Sequence, residues 1–255
     1  MRWALRAEWV KTLSDPGTAW LLAAMVTLSV AVSAVSLAAS RCQGAGCGQD
    51  PARISLTGVY LAQAIAALVG VLAIGGEYGT GMIRVTLAAI PRRNRLLAAK
   101  AIAAAGPVLA ASVLAVAAAM LTGRLILPGH GFTPATGFDL SAAAMWRASL
   151  CAVLDLTLIA LLGLGVATAV RDSAVAIGVV LGILYLFPVA AGLVADPAVQ
   201  RHIEQAGPLS ASLDSMATTG LRGLPLTPWQ GLGVVAAWAA AALITGGVVL
   251  RARDA

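Results

Sequence analysis

The residues of this chain whose types and spacing suit chemistry lie mostly in one segment, 76–100. Its first part, residues 76–81 (GEYGTG), has the glycine spacing of a loop that wraps phosphate. A loop that hydrolyses ATP needs a Lys for the phosphate charge and a Ser or Thr for Mg²⁺ at the next two positions. Here those positions hold Met82 and Ile83. We therefore expect no catalytic residues and no ATP hydrolysis in this chain.

The rest of segment 76–100 is basic. It carries five cations against the single acid Glu77: Arg84, Arg92, Arg93, Arg95 and Lys100. The bases have no interleaved aromatic residues and match no nucleic-acid-binding motif, so we expect no nucleic-acid partner. One interpretation is a surface that contacts a partner. The alternative is an ordinary basic loop beside a membrane.

One acid, Asp155, lies in the middle of an apolar run, about 24 Å of helix before Arg171. An acid inside a membrane is costly and faces protein or water. It either lines a substrate path, favouring a cationic or polar group, or makes a helix-packing hydrogen bond to a Ser or Thr, or is a protonated carboxyl. The residues leave these interpretations open.

Cys42 and Cys47 bracket four residues in a loop expected to face an oxidising space, and their spacing predicts a small disulfide loop. A metal site is disfavoured because only two ligands are close. Cys151 lies in an apolar run and is interpreted as a packing residue.

Composition determines the class of protein. The chain is 60% hydrophobic and 11% charged, with a mean hydropathy of +0.89. Long runs without Asp, Glu, Lys or Arg each reach the roughly 20 residues that cross a bilayer. They predict an all-α integral membrane protein with six transmembrane helices in a single domain, at about 18–39, 55–75, 97–121, 146–170, 173–195 and 228–250.

The distribution of basic residues predicts the orientation. With six spans both termini share one side, and that side holds eleven of the 17 Lys and Arg residues. An excess of basic residues marks the cytoplasmic side. Both termini and the loop 76–96 are therefore expected in the cytoplasm.

Two short helices are expected at this surface. Before the first span, Leu5 and Trp9 fall four residues apart, which favours an N-terminal interfacial helix that turns at Asp15 into span one; a plain basic anchor is the alternative. In the loop 76–96, Thr80 is expected to cap a helix that starts at Met82 after a bend at Gly81.

The chain as a whole resembles the membrane-spanning permease subunits of type 2 ABC transporters, the exporter class. The resemblance rests on the segment 7–11 (AEWVK), on 77–87 (EYGTGMIRVTL) with Pro91-Arg92-Arg93 and Lys100 after it, on six spans, and on a short basic tail. The second feature is the specific one. Met82 departs from the pattern, which has more variable or polar residues there.

The resemblance implies a bacterial inner (plasma) membrane protein that works as a homo- or heterodimer with a separate ATP-binding subunit, which holds ATP and Mg²⁺. The loop 76–96 would form the cytoplasmic coupling helix that docks on that subunit, and the N-terminal segment, with Glu8, Trp9 and Lys11, would lie beside it. The residues implied in coupling are Glu77, Tyr78, Gly79, Thr80, Arg84, Thr86, Pro91, Arg92 and Arg93.

Two other functions fit six spans: a secondary carrier and a non-transporting membrane scaffold. A carrier would show matched repeats and ion-coupling groups. Here a long basic loop joins spans two and three, whereas Arg171-Asp172 alone joins spans four and five. A scaffold has no need of a docking helix, so the loop 76–96 is what separates it from a permease.

Overall fold

A computed structural model describes residues 2–42, 49–89, 92–132 and 143–252. These residues form α-helices joined by turns and short 3₁₀ segments, and the described part contains no β-strand. The helices are α1 Arg2–Ser14, α2 Pro16–Ala39, α3 Pro51–Ser55, α4 Val59–Gly79, α5 Met82–Ala89, α6 Arg93–Ile126, α7 Ala143–Val170, α8 Ser173–Leu193, α9 Pro197–Ala206, α10 Pro208–Ser215 and α11 Pro228–Ala252.

Six of these helices are long and apolar enough to cross a membrane: α2, α4, α6, α7, α8 and α11. The prediction of an all-α, six-span, multi-pass membrane protein is confirmed. Most ends of these helices lie within a few residues of the span ends predicted from hydropathy. The largest differences are in span three, predicted at 97–121, where α6 runs from Arg93 to Ile126, and in span two, predicted at 55–75, where α4 runs from Val59 to Gly79.

Helix α7 is the centre of the bundle. Its apolar window is 72% buried, against 17–22% for α2, α8 and α11, and it packs on α4, α6, α8 and α11. The peripheral spans α2, α8 and α11 expose most of their apolar surface on the outside of the bundle. In a membrane protein that surface is covered by lipid, so it carries no destabilising cost.

The α4–α7 contact depends on glycine. A Cβ atom built on Gly70 would lie 1.8 Å from the carbonyl oxygen of Ala160, and one built on Gly163 would lie 2.4 Å from that of Ala67. Small residues allow two backbones to approach this closely, and close packing drives helix association in lipid.

The two ends of the bundle differ. One end, called the terminal face, carries α1, the α4–α5–α6 connection, the α7–α8 turn and the end of α11. The opposite end, called the far face, carries α3, α9, α10 and the 3₁₀ segment Leu127–His130. The terminal face is the one for which the sequence predicts a cytoplasmic location.

The α1–α2 turn forms as predicted. Asp15 is the N-cap of α2, and its carboxylate accepts hydrogen bonds from the backbone N–H groups of Gly17 and Thr18 and from the Thr18 hydroxyl. The hydrogen bond from the Thr18 hydroxyl is the largest cause of the lowered pKa of the Asp15 carboxyl, and the bond from the Thr18 backbone N–H is the second. Pro16 occupies the first turn, where the missing N–H has no helical partner.

On the far face, α10 is buried and clamped by charged side chains. Arg53 pairs with Asp214 at 2.8 Å and donates to the Leu213 carbonyl, while Arg147 donates to that of Ser215 at 3.1 Å. Asp50 caps α3 and accepts from the Thr218 hydroxyl at 2.6 Å. The segment 196–222 is therefore an ordered cap on the far face.

Asp214 makes this clamp sensitive to pH. Burial raises the pKa of its carboxyl above the ordinary 3.8, against the opposing charge of Arg53. Because the pKa is raised in the folded state, the folded protein holds this proton more tightly than the unfolded chain does, and the proton's contribution to the free energy of unfolding is full below about pH 4 and is lost as the pH rises through the folded pKa. We expect the free energy of unfolding of the wild type to fall over that range relative to Asp214→Asn. Parallel pH profiles of thermal unfolding for the two proteins would contradict this expectation.

Candidate functional site

The final turn of α4 contains the residues expected to lead into the coupling loop. Glu77, Tyr78 and Gly79 are helical, so the predicted end of span two at residue 75 is wrong. Gly75 allows α4 to approach the start of α8 closely, because a Cβ atom there would lie 2.4 Å from the Ser173 hydroxyl oxygen. These residues are therefore held rigidly by the transmembrane bundle.

The turn between α4 and α5 also differs in detail from the prediction. Thr80 was expected to cap the short helix, but it is the C-cap of α4, and its hydroxyl donates to the Gly76 carbonyl at 2.8 Å. The predicted bend at Gly81 is confirmed by its φ of +71°, which favours glycine. Helix α5 then runs from Met82 to Ala89.

A buried cluster of four charged side chains lies directly beneath this turn. Lys100, 1% exposed, pairs with Glu77 at 2.7 Å and with Glu8 at 3.0 Å. Lys11 pairs with the same Glu77 oxygen, Oε1, from its half-exposed side chain. The cluster thus joins α1, the end of α4 and the first turns of α6.

Lys100 uses all of its hydrogen-bond donors inside the protein. Its ammonium also donates to the Ala73 carbonyl at 3.4 Å, so all three N–H groups are used. A buried Lys is tolerated when it is paired and fully hydrogen-bonded. Glu8 is 7% exposed and Glu77 3% exposed, so neither carboxylate is presented at the surface. Their role is to position α1 and α5 against the spans.

Trp9 strengthens the α1–α6 contact. A Cβ atom built on Gly106 would lie 2.6 Å from the Trp9 ring, so the ring packs directly on the α6 backbone. Val10, the next residue, is 64% exposed. The inward side of α1 is therefore the one that carries Glu8, which the apolar spacing of this segment does not indicate.

Helix α5 presents the outward part of the site. Val85 is 69% exposed and Met82 51% exposed, and Arg84 is exposed beside them, whereas Ile83 is buried against the bundle. Thr86 is half-buried, and its hydroxyl donates to the Met82 carbonyl. This face combines exposed apolar side chains with a cation and is anchored on its inner side.

Three arginines make hydrogen bonds at the end of α11, and one of them, Arg93, belongs to the basic segment that follows α5. Arg93 donates to the Leu250 carbonyl at 2.5 Å, Arg171 donates to that of Val249 at 3.2 Å, and Arg251 donates to the Asn94 side chain at 2.6 Å. Cations at a helix C-terminus satisfy its last carbonyl groups and its dipole. Arg93 therefore contributes to helix capping, while Arg92 remains exposed.

Asp155 is remote from the terminal-face site and has 0% exposure. Its Oδ2 accepts from the Gln63 amide nitrogen at 2.9 Å, and the same nitrogen donates to the Ser212 hydroxyl at 2.6 Å. The three residues link α7, α4 and α10. This is the geometry of the helix-packing alternative, and the substrate-path role of Asp155 stays a prediction.

Asp155→Asn is expected to leave the stability within about 1 kcal/mol of the wild type. Asn retains an acceptor for the Gln63 amide nitrogen. Asp155→Leu removes the acceptor and is expected to cost about 1–3 kcal/mol. Thermal unfolding in detergent compares the variants; an equal loss for Asn and Leu would show that the carboxyl itself is required.

Two predicted positions lie outside the described residues, Pro91 and Cys47. Helix α5 ends at Ala89, two residues before Pro91. Cys42 is disulfide-bonded and Cys151 is free, and the pairing of Cys42 with Cys47 stays a prediction. Within the ranges that the structure covers, no three His, Cys, Asp or Glu side chains group to hold a metal ion.

Sequence reasoning missed the pairing of Glu8, Glu77 and Lys100, and the contacts of Gln63. The available signal was that Glu77 and Lys100 are opposite charges at the inner margins of neighbouring spans. Such residues are costly in a membrane unless they are paired.

No protein-family model matches the chain, and no curated protein matches its sequence.

Proposed function

We propose that this protein is the membrane-spanning permease subunit of a type 2 ABC exporter, with α5 as the coupling helix. The observation that carries the proposal is the exposed, cationic and apolar face of α5, which is anchored by the buried Ile83 and follows the end of α4 that the Glu8–Lys100–Glu77–Lys11 cluster holds. A short helix that is exposed on one side and rigidly anchored on the other suits the transfer of force from a docked partner.

In this proposal the terminal face is cytoplasmic and binds a separate ATP-binding subunit, on which ATP and Mg²⁺ act. A second permease copy completes the transporter. ATP-driven closure of the partner would push α5, and the charge cluster would pass the displacement to α1, α4 and α6 as one packed unit. Among the implied coupling residues, Arg84 is on the exposed face of α5 that would dock, whereas Glu77 is buried and holds the end of α4 that precedes α5.

The test is affinity purification from the native membrane followed by identification of the proteins that accompany the permease. We expect an ATP-binding subunit in stoichiometric amount. Arg84→Glu should lower its recovery by about tenfold or more, because reversing a charge in an interface costs at least 1.4 kcal/mol. Permease abundance in the membrane should not change.

Arg124→Glu is the matched control, because Arg124 is an exposed cation near the far-face end of α6. Its recovery of the ATP-binding subunit should equal that of the wild type. A wild-type preparation without any ATP-binding subunit would contradict the proposal and favour a carrier or a scaffold. Equal recovery with Arg84→Glu would remove α5 as the docking element.

A further inference from the structure

A strongly basic cavity of 460 Å³ lies on the terminal face where α6 begins and α11 ends. Its lining contains four arginines and one asparagine, and none of the lining residues is acidic: Arg92, Arg93, Asn94, Arg95 and Arg251. Guanidinium groups bind phosphate with strong, often bidentate hydrogen bonds. The charge of this cavity therefore selects for an anion.

The backbone adds to this selectivity. Helix α6 is 34 residues long, and its N-cap, Arg92, makes no side-chain capping hydrogen bond. The positive end of a long helix favours an anion. The negative end of α11 is screened, because Arg93 covers the carbonyl groups of Leu250 and Arg251.

An apolar slot of 390 Å³ continues from the basic cavity and shares Asn94 and Arg251 with it. Leu97 of α6 and Ile244 and Val248 of α11 are among its lining residues. Gly247 also lines the slot, and a Cβ atom built there would be in van der Waals contact with Leu97 at 3.4 Å. Since α6 and α11 are both spans, the slot runs into the hydrocarbon layer.

We infer that the cavity and slot together bind an anionic phospholipid, with its phosphate among the arginines and an acyl chain between α6 and α11. A soluble phosphate would use the basic cavity but would leave the slot empty. The continuity of a cationic pocket with an apolar slot in the membrane matches a lipid that has both parts. Basic pockets between spans on the cytoplasmic side recognise such headgroups.

The inference goes beyond the permease proposal and assigns Arg92 and Arg95 to lipid. The bound lipid would tie the start of span three to the end of span six. These are the segments that Arg93 and Arg251 already connect by hydrogen bonds.

Native mass spectrometry of the purified protein, titrated with phosphatidylglycerol or phosphatidylcholine of the same acyl chains, tests the inference. We expect phosphatidylglycerol to bind preferentially. The double variant Arg92→Ala/Arg95→Ala should lose about 30-fold in affinity for it, since each basic residue near the surface contributes about 1 kcal/mol.

Gly247→Leu should abolish the preference by filling the slot without changing a charge. Gly233→Leu is its control on the same helix, because no atom lies within 4 Å of a Cβ built there, and it should bind as the wild type does. Glycerol phosphate should compete weakly, and Arg84→Glu should leave lipid binding intact, which separates this site from docking on α5.

Equal binding of the two lipids would overturn the inference. Full competition by glycerol phosphate together with normal binding by Gly247→Leu would overturn the lipid assignment in favour of a soluble anion. Loss of the ATP-binding subunit from Arg92→Ala/Arg95→Ala, with lipid binding unchanged, would assign the arginines to the protein partner instead.

Discussion

Lys100→Met is expected to destabilise the protein by about 3–5 kcal/mol, because it removes one partner from a buried ion-pair cluster. Glu8 and Glu77 would lose their shared buried cation, with only the half-exposed Lys11 nearby. Thermal unfolding in detergent measures the loss. Limited proteolysis should also cut α1 faster, because Glu8 would no longer hold it to α6.

Two comparisons separate this effect from the loss of any cation. Arg124→Ala removes an exposed charge from the same helix and should change stability by no more than about 0.5 kcal/mol. Lys100→Met combined with Glu8→Gln and Glu77→Gln should recover most of the loss, since the uncompensated charges are gone. A single Lys100→Met variant as stable as the wild type would show that the cluster does not hold α1 in place.

Gly70→Ala is expected to destabilise the protein by about 3 kcal/mol, at the upper end of the cost of overpacking. The new methyl group would fall 1.8 Å from the Ala160 carbonyl oxygen. That atom belongs to the backbone of α7, the most buried span, so a side-chain rotation cannot relieve the clash. Helices α4 and α7 would have to separate, and the contact that drives their association would be lost.

Gly76→Ala is the matched control, because Gly76 is on the same helix and has no atom within 4 Å of a built Cβ. Alanine favours helix over glycine by about 1 kcal/mol, so this variant should be as stable as the wild type or more so. Thermal unfolding of the two variants should therefore differ in sign. If both shifted the midpoint in the same direction, helix propensity and not α4–α7 packing would control stability at these positions.

The site was less predictable than the fold. The short helix after Gly81 and the turn into span one at Asp15 follow from local chemistry, and both are present. The inward direction of Glu77 does not follow from its neighbours, because it depends on Lys100, 23 residues later in the chain. Thr80 satisfies the helix before it and not the one after it, and sequence alone does not choose between these two partners.

The sequence by itself determined the class of protein, the number of spans and the concentration of basic residues at one end. Each of these depends on hydropathy or charge summed along the chain, and the membrane imposes the same length on every span. Only the tertiary structure decided which charged residues are buried pairs and which are exposed. Glu8 and Lys100 lie 92 residues apart, as do Gln63 and Asp155, so each pairing exists only after the spans have packed.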